Sequence, residues 1–111
     1  INESAVAKTE MLLADAQAKG GSIKVGGHKK EDLLFEPTLV CDVNASMKIF
    51  KEEIFGPVVT IMPFDTEGES LLFGNSTPYG LSCTIWTENL SRANRMAKEI
   101  EAVMHSARCF H

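Results

Sequence analysis

The sequence predicts an α/β fold, a partial parallel sheet with crossover helices. Three observations in its second half carry the prediction. Residues 58–64 form a compact apolar run, and Thr66 with Glu69 has the spacing of a capping box that opens a helix. Leu81, Cys83 and Ile85 then alternate with Ser82, Thr84 and Trp86, as in a strand. Leu90, Ala93, Met96, Ala97 and Ile100 follow as one apolar stripe at helical spacing. Strand, helix, strand, helix in that order implies parallel strands, because a connection that brings a strand back parallel is long and usually helical.

Taken from the start, the first element is a helix. Ala5, Thr9, Leu12, Leu13 and Ala16 recur on one face, Asn2 or Ser4 can cap its beginning, and Gly20-Gly21 ends it. Residues 22–25 read as a short strand closed by Gly26-Gly27, and residues 27–32 as a polar loop. Residues 33–40 are apolar and extended but contain Pro37, which cannot donate to a ladder; they are expected to form an edge strand or two short pieces. Leu71, Leu72 and Phe73 give the capping-box helix its apolar face, Asn75-Ser76-Thr77-Pro78 breaks it, and Thr87 or Asn89 opens the last helix.

Composition narrows the function classes. The chain has 111 residues, enough for one small domain, and its net charge of −4 comes from interspersed acids and bases. With no basic stripe, nucleic acid is not expected as a partner. The Lys29-Lys30 pair runs directly into Glu31-Asp32 and reads as a solvated loop. No apolar run approaches the roughly 20 residues of a membrane-spanning helix, so no membrane partner is expected. The polar, helix-like start is unlike a signal peptide. With Ile1 in place of an initiator methionine, the chain reads as cut or cloned from something longer. Cys41, Cys83 and Cys109 are far apart and odd in number, so a disulfide framework is not expected; a reducing compartment follows, cytoplasmic or, second, mitochondrial. His28, His105 and His111 have no metal-ligand spacing, and no metal site is expected.

The densest signal is Lys51-Glu52-Glu53-Ile54-Phe55-Gly56-Pro57, running straight into the apolar run at Val58. It contains two carboxylates, an aromatic ring and a Gly-Pro turn at the start of a strand. Gly56 permits unusual backbone angles, and Pro57 fixes how the chain enters the strand. A carboxylate here can accept hydrogen bonds from vicinal hydroxyls, and an aromatic two residues later can pack against a planar ring. The plainer reading is an acidic loop with one buried Phe, since a strand start accounts for Gly and Pro without any ligand.

The string Glu52-Glu53-Ile54-Phe55-Gly56-Pro57-Val58-Val59 resembles the nicotinamide-side cofactor motif of the aldehyde dehydrogenase superfamily. Other segments agree in order: Phe35-Glu36-Pro37-Thr38, Met47 to Phe50, Asn75 through Ser82, Trp86-Thr87 and Leu90-Ser91-Arg92-Ala93, together with the opening helix and Gly26-Gly27. The resemblance implies that Glu53 holds the ribose next to nicotinamide and that Phe55 packs beside the nicotinamide ring, with NAD or NADP as cofactor. It implies an enzyme in which a cysteine thiolate attacks the aldehyde, hydride passes to the oxidised cofactor, and a glutamate-activated water releases the acid. It further implies a homo-oligomeric intact enzyme with an aldehyde substrate, and general likeness points equally to succinate-semialdehyde and aromatic-aldehyde enzymes.

The resemblance also has limits. The family's Gly-Gln-x-Cys nucleophile segment, its general-base glutamate and its dinucleotide-binding half are not in this sequence, and Cys41, Cys83 and Cys109 do not align with the nucleophile. Catalytic residues are therefore expected to number none here, and Cys83 reads as a small core residue of a strand. Residues 1–102 correspond to the C-terminal portion of the family's catalytic domain. Residues 103–111 read as a divergent tail that lacks the family's glycine and β-branched strand, as a shifted frame, a retained intron or a cloning tail would produce. The expected product is an oxidoreductase fragment, inactive alone, weakly stable and prone to associate through Leu71, Leu72, Phe73 and Trp86. Two other readings are an independent small α/β binding module and a bare nucleotide-binding module; the second is disfavoured because no phosphate-cradling loop is present.

Overall fold

The computed structural model describes residues 2–31 and 33–108. They form two compact units, Ile1–Pro63 and Phe64–His111. Each is described by itself.

The first unit opens with α1 (Glu3–Ala18), capped by Asn2, whose side chain accepts from the Ala5 N–H at 2.8 Å. Its buried face is Val6, Thr9, Leu12, Leu13 and Ala16. The expected stripe is therefore right but for one position, Val6 being buried where Ala5 is only half-buried. The strands β1 (Ser22–Val25), β2 (Thr38–Cys41) and β3 (Val58–Thr60) form a sheet in the order β1-β2-β3. β1 is antiparallel to β2, and β2 is parallel to β3, with Thr38 opposite Val58 and Val40 opposite Thr60.

Pro37 does not make β2 an edge strand. It lies just outside, and the strand that begins at Thr38 is central. Of the two expected pieces, the one before Pro37 survives only as a single bridge between Lys29 and Phe35. Gly26 closes β1 at φ 68°, where an added Cβ would lie 2.2 Å from the Pro37 carbonyl oxygen; only glycine fits both the backbone angle and the space. β3 is shorter than the apolar run predicted. Its ladder ends as Asp42 turns away from β2 at φ 57°, and Pro63 has no N–H to extend it.

Between β2 and β3 lies a short helix that the sequence reading did not anticipate, α2 (Lys48–Lys51). Its own N-cap, Met47, offers no side-chain acceptor. Asp15 of α1 substitutes, accepting from the Lys48 N–H at 2.8 Å while pairing with Lys19 at 2.8 Å. Lys19 in turn donates to the Ser46 carbonyl at 2.9 Å. The core joins these elements: Leu12, Val40 and Met47 are fully buried, among Val6, Leu13, Ala16, Phe35, Val43 and Ile49.

The second unit contains α3 (Glu67–Gly74), β4 (Ser82–Trp86), α4 (Leu90–Glu99) and β5 (Met104–Arg108). The Thr66–Glu69 capping box is present, with Thr66 accepting from the Glu69 N–H at 3.1 Å. Asn89, not Thr87, caps α4. β4 alternates as read, with Ile85 buried and Cys83 half-buried between exposed neighbours. Leu71 and Phe73 are half-buried, whereas Leu72 is exposed.

Two expectations change here. Within this unit β4 pairs with β5, so the parallel crossover unit is β4-α4-β5, one strand later than the run from residue 58 suggested. And residues 104–108 are a strand, in parallel register with β4 from Ser82–Met104 to Trp86–Arg108. The sequence reading looked for β-branched residues there. A strand whose side chains are all exposed is held by its ladder and by contacts such as Arg108 over the Trp86 ring, 5.6 Å from its centroid, rather than by apolar burial. Cys109 and His111 lie outside the described residues, as does Asp32.

Candidate functional site

Residues 51–57 join α2 to β3. α2 ends at Lys51, and Glu52 has extended backbone, φ −102° and ψ 139°. In extended chain successive side chains face opposite ways. Burial along the segment follows that rule: Glu52, Ile54 and Gly56 are half-buried, while Glu53 and Phe55 are exposed.

The inward set anchors the loop. Ile54 packs against the core cluster. Glu52 pairs with Lys8 of α1 at 3.4 Å. The same Lys8 ammonium donates to the Glu53 backbone carbonyl at 3.1 Å. Gly56 lies so close to α1 that an added Cβ would stand 2.9 Å from Thr9 Oγ1. Its requirement for glycine is therefore one of space. Pro57, which cannot donate, contributes its carbonyl to the sheet by accepting from the Thr38 N–H at 2.8 Å.

The outward set is left uncommitted. The Glu53 carboxylate has no hydrogen bond or ion pair among the described residues, and Phe55 is 71% exposed. The plain alternative of a buried Phe does not hold. A depression of ≈ 630 Å³ lies beside the ring, bordered by Asn2, Ala5, Ile54, Phe55, Gly56 and Pro57. An exposed aromatic face and an unpaired carboxylate on alternate residues suit a ligand that combines a planar ring with vicinal hydroxyls.

Sequence reasoning named Glu53 and Phe55 but missed Lys8 and Thr9. These lie in a different element, 45 residues before Glu53 in the case of Lys8. Only the fold brings them to the loop.

The remaining candidates that fall among the described residues are not gathered around this loop. Among the described residues no cluster of His, Cys, Asp and Glu could hold a metal ion. Cys41 and Cys83 are free and half-buried. A groove of ≈ 480 Å³ within the second unit, walled by Phe64, Cys83, Ile85, Trp86 and Met96, includes no residue of the 51–57 loop. Beside it, Glu67 receives Arg95 through two hydrogen bonds at 3.0 and 3.1 Å and Arg92 through one at 3.3 Å. The Arg95 guanidinium, assisted by Arg92, holds the Glu67 carboxyl below its ordinary value. Lys19 and then the Lys48 N–H do the same for Asp15. No helix among the described residues is long and apolar enough to cross a membrane.

The model of the aldehyde dehydrogenase family matches residues 1–109, and the chain belongs to that family. Two relatives illustrate the likeness. The succinate semialdehyde dehydrogenase of Acinetobacter baylyi is 41% identical over 103 residues, covering 91% of this chain and 21% of that protein. The mitochondrial succinate-semialdehyde dehydrogenase of Oryza sativa subsp. japonica is 40% identical, covering 91% and 20%. Among solved structures, an aldehyde dehydrogenase from Brucella melitensis biovar abortus 2308 superposes with a TM-score of 0.93 at 37% identity, over 98% of this chain and 23% of that one. The betaine aldehyde dehydrogenase of Staphylococcus aureus in complex with NAD+ superposes with a TM-score of 0.88 at 33% identity, over 100% and 23%. The fold is thus a mixed α/β piece of the aldehyde dehydrogenase architecture. The chain spans about a fifth of the length of the curated relatives it matches.

Proposed function

We propose that this chain supplies the nicotinamide-side cofactor loop of an NAD(P)-dependent aldehyde dehydrogenase and has no dehydrogenase activity alone. The observation that carries the proposal is the division of labour along residues 52–56. The inward side chains are spent on holding the loop, while the Glu53 carboxylate and the Phe55 ring stand free.

In this reading Glu53 accepts hydrogen bonds from the two ribose hydroxyls. Charge-assisted bonds of this kind are roughly twice as strong as neutral ones. Phe55 covers one side of the nicotinamide ring and limits how it can tilt. The bound cofactor supplies a hydride acceptor; the chain's own residues orient it. The nucleophile and general base that the family requires come from parts of the family fold outside these residues. Support for the cofactor comes from relatives whose structures hold NAD+, including an indole-3-acetaldehyde dehydrogenase. Relatives differ in the aldehyde they are named for, so the proposal covers an aldehyde as a class.

The test is a transplant. Residues 1–102 replace the matching segment of the Acinetobacter baylyi relative, and aldehyde-dependent NADH formation is followed. The hybrid should turn over, and the 111-residue chain alone should not. In the hybrid, Phe55→Ala should lower kcat/KM for the nucleotide about tenfold, from the loss of roughly 1–1.5 kcal/mol of ring packing. An unchanged kcat/KM for that variant would remove the ring from the site.

A further inference from the structure

Lys8 is the one side chain in the described first unit that reaches both acids of the loop. Its Nζ lies 3.4 Å from Glu52 Oε2 and donates to the Glu53 backbone carbonyl at 3.1 Å. It projects from α1, whose neighbouring residues Val6, Thr9, Leu12 and Leu13 are all buried, so its Cα is set by the core. The next residue of the same helix is Thr9, which limits how closely Gly56 can approach. A cation that bridges two successive residues adds to the anchoring by Ile54 and Gly56 and favours one outward face of the loop. Binding Glu52 through its side chain and Glu53 through its backbone leaves the Glu53 carboxylate as the outward group.

We propose that Lys8 is a positioning residue for the cofactor loop, acting on the nucleotide through Glu53. This rests on the cofactor-loop reading above. The ammonium does its work by ordering the loop before the ligand arrives, so that less conformational freedom is lost on binding. A lysine that merely held the fold together would alter stability. A lysine that itself touched the nucleotide would act whether or not Glu53 kept its charge. Coupling to Glu53 separates these roles.

The experiment is a double-variant cycle in the hybrid enzyme, with NADH affinity measured by fluorescence titration and kcat measured at saturating nucleotide. Lys8→Met should weaken NADH binding roughly three- to tenfold, in the range of an exposed ion pair plus one charged hydrogen bond. Saturated kcat should stay within about twofold of the parent, and Lys8→Arg should recover most of the affinity. In a Glu53→Gln background, Lys8→Met should have little further effect. Parent-like affinity for Lys8→Met, with Glu53→Gln still weakened, would overturn the proposal and leave the loop reading intact. A full Lys8→Met penalty in the Glu53→Gln background would also overturn it. If Glu53→Gln itself binds NADH like the parent, the loop reading fails and the role of Lys8 fails with it.

Discussion

Gly56→Ala tests how α1 sets the position of the loop. The added methyl would stand 2.9 Å from Thr9 Oγ1, with the Thr9 and Ile54 methyl carbons at 3.8 Å. Two responses are open. Thr9 is 3% exposed and its hydroxyl donates to the Ala5 carbonyl at 2.8 Å, so rotating it away breaks that bond inside a buried face. Leaving a buried hydroxyl unpaired costs about 1–3 kcal/mol. Alternatively the loop moves out by a few tenths of an ångström and loosens Ile54 against the core; overpacking of this sort also costs about 1–3 kcal/mol. The two routes agree in size, so the expected loss is about 1–3 kcal/mol whichever the protein takes. Native-state hydrogen exchange of the chain reads it directly. Amides of α1 and β2 that exchange through unfolding of the first unit should exchange roughly 5- to 150-fold faster. Thr9→Ala removes the two Thr9 atoms that the new methyl meets, including the close one, so the double variant should be less destabilised than the sum of the singles by about 1 kcal/mol or more. A neutral Gly56→Ala, or strict additivity with Thr9→Ala, would refute the claim that α1 and the loop are in steric register.

Three further outcomes follow from the fold. Leu12→Ala empties a fully buried position at the centre of the first unit and should cost about 3–5 kcal/mol, seen as loss of exchange protection across α1 and β2. Thr66→Ala removes half of the capping box and should destabilise α3 by about 1 kcal/mol, measured by exchange of the amides that follow it. Acid should weaken both units. Asp15 and Glu67 are held below their ordinary values of 3.8 and 4.5, so each contributes stability above those values that is lost as pH falls through its lower folded-state value. Thermal melts between pH 5 and pH 2 should show this acid limb flattened in Asp15→Asn and Glu67→Gln, and also flattened by salt, since both groups lie near the surface.

What the sequence makes legible is local. The Asn2 and Asn89 caps, the Thr66–Glu69 box and the alternation in β4 are short-range patterns, and each has its counterpart in the structure. The errors concern pairing. Residues 33–40 contain Pro37, which suggested an edge; the strand instead starts one residue later and sits in the middle of its sheet. The parallel crossover read from residue 58 onward is seen as β4-α4-β5, and β5 is a strand with no β-branched residue to announce it. α2 has no capping side chain of its own, because Asp15 caps it from another helix. Glu53 and Phe55 could be proposed because seven contiguous residues carry the motif, and what the structure adds is that both are exposed. Lys8 and Thr9 could not, because their relation to it exists only in three dimensions.

The central claim is that Glu53 presents its carboxylate to the cofactor ribose. Titrating NADH into the hybrid enzyme and its Glu53→Gln variant tests it most directly. Replacing a charged acceptor by a neutral amide should weaken binding by about 1–2 kcal/mol, or roughly 5- to 30-fold. Equal affinity in the two proteins would contradict the claim.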